Sequence, residues 1–327
     1  MRAFEPHPLL RNPDLMTLAG AFNLRRYPRL PSGAPRRFRV DAETEVLAFC
    51  HWQREPRRHP TLIVLHGLEG SVESSYMLGT AEKAYAAGFN AIRLNQRNCG
   101  GTEHLTTTLY NSGLSCDSRA VVLELVERDA LPEIFVCGYS MGGNLVLKMA
   151  GEFGPDAPPQ LRAAVGVAPA IDLGASADSI DRRRNFIYQQ HFIRGLMSRF
   201  RRKMGLFPER YRLDGIGRVR TIRGFDDVIT APAFGFHDAD DYYHRSSALR
   251  VIERIAIPTL ILASEDDTFV PFATFQRPEL AANLNITVLA SEHGGHCSFI
   301  SAFGGEERFW AEARTVEFCR EKSEVRT

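Results

Sequence analysis

The sequence lacks any apolar run approaching the roughly 20 residues needed to cross a bilayer, so no transmembrane segment is expected. It has little imbalance of charge: the net charge is +1, which removes a global electrostatic case for nucleic acid or an acidic partner. Cysteine is sparse, with Cys50, Cys99, Cys116, Cys137, Cys297 and Cys319 scattered without close pairs or metal-ligand spacing. No disulfide framework and no metal or cofactor is expected; free, mostly buried thiols in a reducing cytoplasm are. No internal repeat and no low-complexity tract is found. The opening residues, Met1-Arg2-Ala3-Phe4-Glu5-Pro6-His7, carry an acid and a proline but no apolar h-region, so no signal peptide is expected there.

What is present is an ordinary globular composition, 44% hydrophobic and 24% charged, in a chain of 327 residues. That length can bury one large core, or a core with an inserted subdomain. The first thirty-five residues, rich in Arg and Pro, read as an arm over the domain surface. Arg37–Asp41 and Glu45–His51 suggest an antiparallel strand pair. From residue 61 strands alternate with helices. Strands are expected at Thr61–Leu65, Asn90–Leu94, Ile134–Cys137 and Arg162–Val167, with helices near Tyr76–Ala87, Arg119–Glu127 and Met141–Ala150. The alternation breaks near Asp172 and resumes at Ile257–Ala263 and Ile286–Ala290. The stretch of about 172–250 is too long for a core connection and reads as an inserted helical cap. The expectation is a single α/β domain, residues 1–327, with a mostly parallel, doubly wound sheet.

The motif with most chemical content is Gly138-Tyr139-Ser140-Met141-Gly142, set between an apolar strand and a helix-forming run. A strand, an abrupt turn and a helix is the setting in which G-x-S-x-G presents a nucleophilic serine. A serine hydroxyl needs an adjacent base oriented by a third group. Candidates follow in chain order, each after a strand. Ser264-Glu265-Asp266-Asp267 follows one; Ser291-Glu292-His293-Gly294-Gly295-His296 follows the other. Asp267 lies four residues before Pro271, a spacing that resembles the acid loop of many α/β-hydrolases; Asp266 is expected to bond the loop backbone. His296 follows two glycines that let its loop fold back toward Ser140, whereas His293 sits nearer the strand end. The backbone N–H of Met141 is one expected oxyanion donor.

Further motifs are His66-Gly67-Leu68-Glu69-Gly70-Ser71, Arg97-Asn98-Cys99-Gly100-Gly101 and Tyr110-Asn111-Ser112-Gly113. To these add Phe225-Asp226-Asp227 and Tyr242-Tyr243. Together with the serine, Asp266-Asp267 and Gly294-Gly295-His296 motifs, they make the chain resemble the YheT-like branch of the α/β-hydrolases. That branch also holds mammalian membrane-bound abhydrolase-domain lipases and yeast medium-chain alcohol acyltransferases. The resemblance implies the α/β-hydrolase fold with an inserted cap, and a second oxyanion amide from Leu68. His66 is expected to brace that loop and Glu69 to bond its backbone. Asp267-Thr268 stands where many relatives have Asp-Pro.

The expected activity is a carboxylesterase cleaving short- to medium-chain esters, acylglycerols among the candidates, through Ser140, His296 and Asp267. An acyltransferase using the same acyl-enzyme is the alternative, and a catalytically silent ligand-binding protein a third reading. Within the cap, Tyr188, Phe192, Leu196, Phe200 and Met204 recur every four residues opposite Arg194, Arg199, Arg201, Arg202 and Lys203. This amphipathic helix has three readings: packing on the domain, lining an acyl pocket, or transient contact with a membrane surface.

Overall fold

Strand β3 (Thr61–Leu65) is buried along its whole length because both faces of the sheet around it are covered. Its side chains alternate: Ile63 and Leu65 enter one apolar cluster, Leu62 and Val64 the other. A computed structural model describes residues 2–23, 25–211 and 216–325. The other strands are β1 (Ala34–Arg39), β2 (Glu45–His51), β4 (Asn90–Leu94), β5 (Ile134–Tyr139), β6 (Leu161–Val167), β7 (Thr259–Ser264) and β8 (Ile286–Ser291). They form one sheet in the order β1-β2-β4-β3-β5-β6-β7-β8. The β1–β2 and β2–β4 pairs are antiparallel and the rest parallel. β1 starts earlier than its pattern suggests, running through Pro35; an edge strand tolerates the missing donor.

Helix α1 (Pro13–Ala21) lies in the arm, and α2 (Ser75–Ala86), α3 (Ser115–Glu127) and α4 (Met141–Phe153) alternate with the strands. Between β6 and β7 stand α5 (Leu173–Ile180), α6 (Phe186–Leu206), α7 (Ile222–Phe225), α8 (Ala231–Phe234) and α9 (Ala239–Ser246). A single π turn, Asp226–Thr230, joins α7 to α8. No strand occurs in this stretch among the described residues, and residues 212–215 of the expected cap lie outside them. After β7 come α10 (Pro278–Ala281) and α11 (Trp310–Lys322). Helices α3 and α4 cover one sheet face, α2 and α11 the other.

The arm is bound to the far end of the chain. Asn12 caps α1, its Oδ1 accepting from the N–H groups of Asp14 and Leu15 at 3.0 and 3.1 Å. Met16 is fully buried, Pro6 bridges to Ser301, and Arg25 grips Glu312 with two hydrogen bonds of 2.5 and 2.8 Å. Residues 1 and 24 of the arm lie outside the described residues.

Candidate active site

Ser140 sits at the turn from β5 into α4 with φ of 53° and ψ of −118°. A non-glycine residue at positive φ costs about 1–3 kcal/mol and persists only where its surroundings impose it. Here the closeness of strand and helix imposes it. A Cβ on Gly138 would lie 2.1 Å from the Gly142 carbonyl oxygen, and one on Gly142 would lie 2.4 Å from that of His66. Both positions therefore need glycine, and the turn lifts Ser140 to the carboxyl edge of the sheet, at the N-terminus of α4.

The two carboxylates of the loop after β7 take different partners. Asp267 Oδ2 and Oδ1 stand 2.9 and 3.2 Å from His296 Nδ1. Oδ1 also accepts from the N–H groups of Phe269 and Val270 at 2.8 and 3.1 Å. With its hydrogen on Nδ1 toward Asp267, the His296 ring keeps the Nε2 lone pair as a base. Burial disfavours the imidazolium, but Asp267 and neighbouring Cys297 outweigh that and carry the pKa well above the ordinary histidine value. Asp266 instead accepts from Gly295 N–H at 3.0 Å and faces His293 Nδ1 at 3.3 Å, which props the histidine loop. His296 and Ser140 line one cleft, and His293 is not among its lining residues. Among the described residues no direct hydrogen bond joins Ser140 to His296.

The loop after β3 lies against the serine: a Cβ on Gly67 would be 3.0 Å from Ser140 Cβ and 3.6 Å from its Oγ. Neither the Leu68 nor the Met141 amide has an acceptor among the described residues. His66 is fully buried beneath the loop, with Nδ1 2.8 Å from Gly67 O and Nε2 accepting from Gln96 N–H at 3.2 Å. Burial draws its pKa down to about 4, so it stays neutral at physiological pH. Tyr76 Oη accepts from Gly67 N–H at 3.1 Å.

Glu69 does not bond the backbone of its loop. Its φ is 56°, and its Oε1 accepts from Tyr110 Oη at 2.8 Å and Arg199 Nε at 3.2 Å. Arg199 also donates through Nη1 to Asn98 O at 2.6 Å. One turn further on, the fully buried Lys203 donates to Asn98 Oδ1 at 2.7 Å and Glu103 O at 2.8 Å. Burial lowers its pKa to about 8. Arg199 and Lys203 are thus not on a solvated basic face of α6. Loop carbonyls and Glu69 pair them beneath the helix, clamping the cap to the loops after β3 and β4.

Two cavities meet at Ser140. A cleft of about 490 Å³ runs between the arm and the start of α6, lined by Thr17, Leu18, Leu68, Ser140, Tyr188 and His296 among others. A smaller space of about 90 Å³ lies under the cap, where Leu68, Ser140, Met141, Leu196, Phe225 and Asp226 contribute to its walls. Burial raises Asp226 to about 6, and Tyr243 Oη donates to it at 2.7 Å. The contribution of the arm is the feature least visible in the sequence. Thr17 Oγ1 accepts from the His296 backbone N–H, and only the Asn12-Pro13 helix start hints that α1 exists.

A sequence profile described as alpha/beta hydrolase fold matches residues 60–303. The chain is 31% identical over 280 residues to a putative esterase, YheT, of Escherichia coli (strain K12), covering 85% of this chain and 82% of that one. It is 29% identical over 242 residues to phospholipase ABHD3 of Mus musculus, covering 74% of this chain and 58% of that protein. A monoacylglycerol lipase of Saccharomyces cerevisiae is 27% identical over 261 residues, which cover 77% of this chain and 57% of the yeast protein. In fold, the chain is similar to the Pyrococcus furiosus esterase Pf2001, with a TM-score of 0.57 at 16% identity, covering 89% of this chain and 92% of that one.

Proposed function

The chain belongs to the alpha/beta hydrolase fold family, and from that premise we propose that it is a serine carboxylesterase acting on short- to medium-chain acyl esters. The observation that carries this reading is the part-buried Asp267–His296 pair, 2.9 Å apart, whose histidine lines the same cleft as Ser140. Ser140 Oγ attacks the ester carbonyl carbon while His296 Nε2 takes its proton. Asp267 holds the ring and stabilises the imidazolium that forms. The N–H groups of Leu68 and Met141 receive the developing oxyanion, reinforced by the N-terminus of α4. His296 then gives its proton to the departing alcohol. Water, deprotonated by the same ring, releases the acid from the acyl-enzyme. The small cavity under the cap suits the acyl chain, and the larger cleft the alcohol portion.

That division favours a second reading as well. A cleft separate from the acyl space gives an acceptor alcohol a seat of its own, as an acyltransferase requires. Product analysis with an acyl donor and glycerol separates the two: free acid alone supports the hydrolase, new ester the transferase. For either, Ser140→Ala should lower turnover of p-nitrophenyl butyrate by about 10⁵–10⁶-fold in a folded protein. Undiminished turnover would discard the nucleophile and with it both readings.

A further inference from the structure

Helix α1 is amphipathic in an unusual sense, because its buried face is the less apolar one. Met16 and Thr17 point inward to the histidine loop, while Leu15, Leu18 and Phe22, spaced i, i+3, i+7, face solvent. Phe22 is 77% exposed and Leu15 53%. Across the cleft, the first two residues of α6 do the same, with Phe186 at 59% and Ile187 at 80%. The two helices are neighbours: Tyr188 Oη reaches Asp14 O at 3.5 Å, and Leu18, Phe22 and Ile187 share the lining of the catalytic cleft. Leu9, just ahead of α1, adds a sixth exposed apolar side chain. Isolated exposed leucines are ordinary, but six exposed apolar side chains on two neighbouring segments, three of them lining one cleft, mark a contact surface.

The charges around this patch say what it contacts. Arg182, Arg183 and Arg184 stand one residue ahead of Phe186, separated from it by Asn185; Arg11 lies just before the Asn12 cap of α1, and Arg194 two turns into α6; these arginines are all exposed. None forms an ion pair among the described residues. Asp14 lies within α1, and Asp178 and Asp181 stand just ahead of the three arginines; Asp178 pairs with Arg223. Asp181 is occupied, accepting from Gln189 Nε2 and from the backbone N–H groups of Ile222 and Arg223. Exposed aromatic and aliphatic side chains beside unpaired arginines match the interface of an anionic bilayer: the former enter the acyl boundary while the latter stay among headgroup phosphates.

We propose that α1 and the first turn of α6 form a docking surface for an anionic lipid bilayer, set so that the catalytic cleft opens toward the membrane. On the esterase reading, this surface selects esters borne by lipids, which would leave the bilayer directly into the cleft. Docking itself does not require turnover, so it is tested on Ser140→Ala protein and stands or falls apart from the catalytic assignment.

The experiment is sedimentation with sucrose-loaded vesicles of phosphatidylcholine, and of phosphatidylcholine and phosphatidylglycerol in equal parts. The protein should sediment with the mixed vesicles and much less with the neutral ones. Leu15→Ser combined with Phe186→Ser should lower the partition coefficient on the order of tenfold or more. Arg183→Gln with Arg184→Gln should lower it by about fivefold for each arginine, on mixed vesicles only. Because these side chains are solvent-exposed, thermal midpoints should be unchanged, which keeps a loss of binding interpretable. Equal sedimentation of parent and variants, or no sedimentation of the parent, would overturn the proposal. So would an apolar variant that turns a dimer into a monomer in lipid-free ultracentrifugation, since the patch would then be a contact between copies.

Discussion

Thr17 Oγ1 accepts the backbone N–H of His296 at 2.9 Å across 279 positions of sequence. The hydroxyl is buried and donates in turn to Pro13 O at 2.7 Å, so it locks the start of α1 to the loop carrying the candidate base. Gly295 beside it has a φ of 56° and no room for a Cβ, which would lie 2.8 Å from both Pro13 O and Thr17 Oγ1.

Thr17→Val leaves the His296 N–H buried without an acceptor, at a cost of about 1–3 kcal/mol. We expect a fall in kcat on p-nitrophenyl butyrate of about tenfold, because the base is displaced, with a smaller change in KM, because valine keeps the size of the Thr17 side chain in the cleft wall. Thr17→Ser keeps the acceptor and should restore kcat. Equal kcat for the two variants would show that the contact is only structural.

The pH dependence follows from Asp267. A pKa raised in the folded state means that His296 keeps its proton to higher pH, and only the neutral ring can take the proton of Ser140. The acid limb of kcat/KM should therefore lie above about pH 6.5, the unperturbed histidine value. The same shift stabilises the fold fully below that value, and the contribution is lost as pH rises through the folded pKa. Asp267→Asn should cut kcat by about 10⁴-fold and move the limb to lower pH. A limb unmoved by the substitution would mean that another group titrates.

The Glu69–Arg199 contact couples the cap to the loop that supplies Leu68. Arg199→Met leaves the part-buried Glu69 carboxylate with the Tyr110 hydroxyl alone, at a cost of up to about 3–5 kcal/mol, whereas Glu69→Gln with Arg199→Met removes most of that penalty. We expect the double variant to recover thermal stability but not kcat, since the loop is no longer held against Ser140. Thermal melts and initial rates on all members of the mutant cycle check both halves. Recovery of kcat along with stability would assign the pair to stability alone.

The parts of this architecture that lie close in sequence were readable from it. Thr61–Leu65 and Ile134–Cys137 declare themselves as interior strands by continuous apolar content, the second running on to Tyr139 in the fold, and Gly138 and Gly142 announce the sharp turn through their spacing around Ser140. What could not be read depends on distant partners. Arg199 looks like one more arginine on a basic helix face until Glu69 and Asn98, 130 and 101 positions away, are folded beneath it. Glu69 likewise looks like a loop-bracing carboxylate, because nothing local signals Tyr110 and Arg199. Thr17 carries no chemical signature at all; its role comes from where the arm lands.

That landing has a consequence for biosynthesis. Met16 and Thr17 are made long before the groups they bind, the N–H groups of Ile300 and His296, as Arg25 is before Glu312. The inner face of α1, Met16 and Thr17, therefore lacks its partners during synthesis until residues 296–300 have followed. The cleft that Thr17, Ser140 and His296 line therefore forms late, after every strand of the sheet has been made.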